Sequence, residues 1–290
     1  MEILLHTLKH TILDSIGILP FLFISYLIIE LIEHKASSKI KNALSKSGKM
    51  GSIIGAIFGV FPQCGFSVTA STLYAGRIIT VGTLVAVFIS TSDEAIPVLL
   101  SNPSSISKII PLILVKVCFA ILVGLFIDFV IAKKQKINEI QSESEEHIHE
   151  MCEHCNCEKE NLFVSAIKHT ISVFLFIFVF SFVLNGIIEL IGEENLSKLL
   201  LTGNILQPVV AGLIGIIPNC AASILLTELY IDGTISFASV ISGLSVGAGV
   251  GMIVLLKENK NMKENIKIIL GTFTISVLFG IILEILGNII

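Results

Sequence analysis

The sequence predicts an all-α polytopic membrane protein of about ten transmembrane segments, built as two five-segment inverted-topology repeats with Pro-broken helices. Three observations carry that expectation. The chain is too poor in charge for a soluble domain, several apolar stretches are long enough to cross a bilayer, and a pattern of Pro, Cys, Ser and Tyr recurs at fixed offset.

Of 290 residues, 53% are hydrophobic and only 14% charged, with a mean hydropathy of +0.91. Soluble domains carry about 25% charged residues, so the deficit is more than a large core explains. Residues 10–32, 109–132 and 163–191 are apolar runs long enough for the ~30 Å hydrocarbon layer. The first does not read as a secretory signal, because it lacks a basic leader and a small-residue cleavage site. Cys152, Cys155 and Cys157 share one polar loop, whereas Cys64, Cys118 and Cys220 lie in apolar segments. That distribution does not resemble the disulfide framework of a small secreted protein.

Taken in order, the first half reads as segments 10–32, 51–73, 78–92, 93–103 and 107–132. The second reads as 163–191, 207–229, 234–247, 248–256 and 265–288. Counting all five as crossings gives ten spans, with re-entrant short segments as the alternative. Gly59-Val60-Phe61-Pro62-Gln63-Cys64-Gly65-Phe66-Ser67 matches Gly215-Ile216-Ile217-Pro218-Asn219-Cys220-Ala221-Ala222-Ser223. The same offset pairs Tyr74 with Tyr230, Thr80 with Ser236, Gly124 with Gly280 and Asp128 with Glu284. After a small gap Glu30 pairs with Glu189. A repeat of this kind is the first thing to seek in a chain.

Lysines orient the segments. Lys35, Lys39, Lys41, Lys46 and Lys49 follow the first segment, Lys133, Lys134 and Lys136 follow the fifth, and Lys257, Lys260, Lys263 and Lys267 surround the start of the tenth. The positive-inside rule places all three clusters in the cytoplasm. Five crossings per half satisfy it, with both termini outside, and an odd number inverts one half relative to the other. The expected organisation is a first membrane repeat at 1–132, a cytoplasmic linker at 133–161, and a second repeat at 162–290.

The breaks carry the chemistry. Proline inside a helix removes a donor and frees a carbonyl one turn earlier, which lipid tolerates only where protein or water satisfies the freed groups. Matching breaks in two halves point to a midplane binding site. Pro62, Gln63, Cys64 and Ser67, with Pro218, Asn219, Cys220 and Ser223, are therefore the candidate substrate residues; the alternative is a structural kink whose amides satisfy backbone. Ser90-Thr91-Ser92-Asp93-Glu94 is the second feature, with Asp93 and Glu94 either buried ligands or a solvated turn. The second half replaces it with Val246-Gly247-Ala248-Gly249-Val250, so the halves are not equivalent. Lys116 lies well inside an apolar run and either faces a cavity or snorkels. Glu30, Glu189, Asp128, Glu284 and Glu228 read as span-end residues.

The linker holds His147, His149, Cys152, His154, Cys155 and Cys157 within eleven residues, a donor set suited to zinc, cobalt, copper or cadmium. Its spacing does not reproduce a folded zinc module. It reads as a metal-collecting segment, or else as an acidic linker kept solvated by eight glutamates.

With the repeated Gly-x-x-Pro-Gln/Asn-Cys segment and the His/Cys-rich linker, the chain resembles the ten-span heavy-metal exporters. Members of that family are described as arsenic efflux proteins or manganese transporters, distantly similar to ArsP-type permeases. The resemblance covers nearly the whole chain and implies export of a metal or metalloid. Arsenite favours thiolates, for which Cys64 and Cys220 occupy equivalent positions with Cys118 as a third. Manganese favours the oxygens of Gln63, Asn219, Ser67, Ser223 and Asp93 or Glu94. Oxygen donors outnumber sulfur, which leans the reading slightly toward a divalent cation.

No phosphate-binding Gly-x-x-x-x-Gly-Lys-Ser/Thr loop occurs, so an ion gradient, the membrane potential or a partner supplies the energy. The expected partners are the bilayer and the transported ion, with a homo-oligomer left open. No nucleic acid, no enzymatic activity and no required cofactor are expected. Two rival classes remain: a thiol redox carrier using Cys64 and Cys220, and a membrane-anchored sensor using the linker.

Overall fold

The computed structural model describes residues 19–20, 23–24, 26–27, 48–61, 64–92, 95–101, 105–132, 163–164, 166–168, 170–172, 174–175, 178–179, 182–183 and 206–287. The regular structure among them is entirely helical. The longer runs form α1 (Gly48–Gly59), α2 (Cys64–Ala75), α3 (Val81–Ser90), α4 (Ala95–Ser101) and α5 (Ile106–Ala132). After the linker come α6 (Gln207–Gly215), α7 (Cys220–Ile231), α8 (Phe237–Val246), α9 (Val250–Glu258) and α10 (Met262–Gly287).

Sequence explains where these helices start and stop. Thr80 caps α3 by accepting from the Thr83 N–H, and Ser236 caps α8 by accepting from the Ser239 N–H. Asn219, just after Pro218, caps α7 by accepting from the Ala221 N–H at 3.1 Å. Such caps satisfy donors that a helix N-terminus otherwise leaves unpaired.

Glycine contacts give the helix directions. Gly51 faces Thr83, Gly55 faces Val87 and Gly59 faces Ser90, so α1 and α3 run side by side in the same sense. A Cβ on Gly59 would fall 2.1 Å from the Ser90 Oγ, a separation only glycine permits. The chain between them, α2, must therefore run back. Phe58, Phe61 and Phe66 stack on one another where α1 passes to α2. The second half repeats this: Ser242 donates to the Pro208 carbonyl and Gly215 lies against Gly243 and Gly247. Thus α6 and α8 are also parallel, and α7 returns. The expected crossings at 51–73 and 207–229 are each a helical hairpin that doubles back.

The short segments change as well. Alone, α3 and α4 have ten and seven residues, about 15 and 10 Å at 1.5 Å per residue. Together they form one candidate span, Val81–Leu100, and α8 with α9 forms another, Phe237–Glu258. With Ile106–Val130 and Met262–Gly287 these are the four helices among the described residues long and apolar enough to cross a membrane. The expected segments 78–92 and 93–103 thus share one candidate span by length and composition, as do 234–247 and 248–256.

Two long helices measure the bundle. The 26 residues of α10 reach about 39 Å. Near its start Glu264 binds Tyr74 and Arg77 at the base of the first hairpin, and near its end Glu284 accepts from Ser236 at the base of the second. On α5, Asp128 takes hydrogen bonds from Ser52, Thr80 and the Gly82 N–H at the first base. At the other end of α5, Lys108 reaches Tyr230 at the second base. The two hairpins therefore open at opposite ends of the bundle.

The halves interlock through their short helices. Ser71 on α2 donates to the Gly251 carbonyl on α9 at 2.7 Å, while Ala95 and Leu99 of α4 share an apolar cluster with Ala222, Leu225 and Leu226 of α7. Phe119 of α5 stacks on Phe279 of α10 at 3.9 Å. Every residue from Gly82 to Ser90 and from Ala238 to Val246 is buried, so α3 and α8 form the centre. Leu122, Phe126 and Phe129 on α5, and Leu278 and Ile282 on α10, are exposed, an outward apolar face suited to lipid.

Candidate functional site

Three helix ends meet around a cavity of about 10 Å³, close to the room one water needs. The break after α3 supplies Thr91 and Ser92, the tip of the second hairpin supplies Asn219 and Ser223, and the break after α8 supplies Gly247 and Gly249. Gly249 holds φ +51, a conformation that costs glycine little and other residues more. Thr91 is 2% exposed, Ser92 3% and Asn219 9%, so these oxygens face the cavity or protein rather than solvent.

Lys116 lies beside this cavity with no exposed surface. It is the eleventh residue of α5 and donates to the carbonyls of Thr91, just past the end of α3, and Leu244, in the last turn of α8. Carbonyls in the last turn lack helical partners and carry the negative end of the helix dipole. An ammonium at the paired ends of α3 and α8 answers both needs. The snorkelling alternative for Lys116 is excluded by its burial.

The remaining candidates are distributed as follows. Asn219 and Ser223 reach the cavity, and half-buried Pro218 precedes them without lining it. Ser67 is buried, but its side chain packs against Gly251 beneath α9, so the two equivalent serines do not meet. Cys64 and Cys220 open α2 and α7, and their side chains lie outside the described set. Pro62, Gln63, Asp93 and Glu94 also lie outside the described residues, although their neighbours Ser92 and Ala95 are buried. So do His147, His149, Cys152, His154, Cys155 and Cys157. Among the described residues no group of three His, Cys, Asp or Glu is placed to hold a metal. Cys118 is exposed on the outer surface, which removes it as a third thiolate at this site. Asp128 and Glu284 bind the cap residues Thr80 and Ser236.

Two features escaped the sequence reading. Gly215 and Gly243 line the cavity, and their signal was the small residue every fourth position, as in Gly51, Gly55 and Gly59, which lets membrane helices approach closely. The cluster of Tyr74, Arg77 and Glu264 joins the first hairpin to the second half. Its signal was Arg77, the single arginine in 290 residues. Arg77 Nη1 and Nη2 each lie 2.8 Å from a Glu264 oxygen, and that carboxylate holds the guanidinium protonated more firmly than usual. Arg77 also adopts φ +55, where a non-glycine residue is strained.

No curated protein and no solved structure matches the chain. One family model matches at residues 5–191 and 161–289. The apolar helices agree with its description, and the chain belongs to that family, ArsP_2, described as "Putative, 10TM heavy-metal exporter".

Proposed function

We propose that this protein is a secondary-type permease that exports a heavy-metal ion, best a divalent cation such as manganese, through the cavity at its helix breaks. The observation that carries this reading is the lining: Thr91, Ser92, Asn219 and Ser223, residues with hydroxyl or amide side chains, come from both halves to a cavity with room for one small particle. Manganese prefers oxygen donors, whereas arsenite would need thiolates. Asp93 and Glu94, next in sequence to Ser92, would supply the negative charge.

Inverted repeats suit this role, because rocking one half against the other opens a central site to alternate sides. Hairpins opening at opposite ends support that arrangement. Counting residues 10–32 and 163–191 as spans, the number of crossings in each half is odd both for the five that the family's ten spans imply and for the three left if the proline-broken segments are re-entrant and the short segments share one span. The three lysine clusters then remain on one side, the linker is cytoplasmic and both termini lie outside. The linker histidines and cysteines would concentrate metal at the cytoplasmic mouth.

The test is elemental analysis of cells expressing the protein after separate challenge with manganese, zinc, cobalt, cadmium and arsenite. A selective fall in manganese, lost in the Asn219→Ala/Ser223→Ala variant, is the expected result. A fall in arsenic alone would move the site to Cys64 and Cys220. No change in any element would sink metal export.

A further inference from the structure

We infer that the Lys116 ammonium is a tethered stand-in for the transported ion, filling the carbonyl site at the ends of α3 and α8 whenever no metal occupies it. This rests on the metal-export reading above. Thr91 and Leu244, whose carbonyls take the ammonium, both also line the cavity. One belongs to each half, so any cation held there ties the halves together. Orphaned helix-end carbonyls at mid-depth are costly in a membrane, and two cations within a few ångströms repel strongly where water is scarce. A metal in the cavity and the ammonium on the two carbonyls of its wall therefore exclude each other.

The consequence concerns the unloaded protein. An exporter must return empty after each delivery, and an empty site of bare carbonyls resists that return. With Lys116 in place the site is never without a cation, so the unloaded halves can still rock. A neutral side chain would leave the loaded movement intact and hold back the unloaded one. Metal-for-metal exchange needs only the loaded movement, whereas net efflux needs both.

Purified full-length protein in proteoliposomes, with Mn²⁺ as the probe, separates these modes. For Lys116→Gln, exchange should persist with half-saturation at least about tenfold lower, while net efflux falls at least about tenfold. For Lys116→Arg, whose forked guanidinium holds carbonyls more firmly, half-saturation should rise. Loss of exchange and net efflux together in a well-folded Lys116→Gln protein would overturn the inference, as would affinity moving the same way in both variants. Should Lys116→Gln fail to fold, Lys116→Arg decides: an unchanged half-saturation makes Lys116 a structural cap only. Absence of Mn²⁺ movement in either mode by the unaltered protein would instead strike the manganese reading itself.

Discussion

Glu264 is where one half of the molecule is fastened to the other at a single end, so Glu264→Gln offers a quantitative test of the packing. The carboxylate receives two 2.8 Å bonds from the Arg77 guanidinium and one from the Tyr74 hydroxyl. Glutamine keeps the shape and one oxygen but presents an NH2 group to a guanidinium. Breaking a buried pair from one side costs about 3–5 kcal/mol. Here the side chains are 16% and 25% exposed, so water screens part of the loss and about 2 kcal/mol is the expected destabilisation. For a chain of this size that corresponds to roughly 5 °C in Tm. Thermal unfolding in detergent of Glu264→Gln, Arg77→Ala and the double variant gives the coupling directly, expected near 1–2 kcal/mol for residues in contact. A Tm unchanged within a degree, or strictly additive losses, would refute the account of this contact.

Other expectations follow from single positions. Arg77 occupies φ +55 where the second half has Gly233 at φ +75, so Arg77→Gly should be less destabilising than Arg77→Ala by about 1 kcal/mol, read by the same melts. A Cβ on Gly215 would lie 2.1 Å from the Gly243 carbonyl oxygen, whereas Gly271 has open space around it. Gly215→Ala should therefore cost about 1–3 kcal/mol, and Gly271→Ala should be neutral or gain up to about 1 kcal/mol. In a cysteine-free background, Lys49→Cys and Ile78→Cys should react with an impermeant maleimide from the same side of the membrane, and Gly233→Cys from the other. Labelling of positions 49 and 78 from opposite sides would mean that the first proline-broken segment crosses.

Sequence reading reached the membrane class, the break before α7 at Pro218 and the matching places of Asp128 and Glu284 beside Thr80 and Ser236. Each of these is a matter of composition, residue type or offset, which a string displays. It missed the direction of α2 and α7, because an apolar stretch with a central proline looks the same whether it passes through or doubles back. Direction was written in the packing instead: Gly51, Gly55 and Gly59 present a smooth face to Thr83, Val87 and Ser90 in matching order. Hydropathy likewise separated α3 from α4 at the polar run following Ser90, although Ser90, Thr91, Ser92 and Ala95 are all buried. The expected orientation depends only on parity, since three crossings invert a half as five do, and it is tested by the labelling above. Lys116 was visible as an oddity, but its two carbonyl partners come from residues 25 and 128 positions away, a convergence no local pattern encodes.

The most direct test of the central claim is Mn²⁺ flux through proteoliposomes carrying Ala222→Leu, a change at the wall of the midplane cavity. Ala222 is 5% exposed, and three added carbon atoms exceed what a space of about 10 Å³ holds. Flux should fall to the protein-free rate while the variant still melts cooperatively, its Tm lowered by about 2–8 °C through overpacking. Undiminished flux in that folded variant would contradict the account, since the ion would then be taking another path.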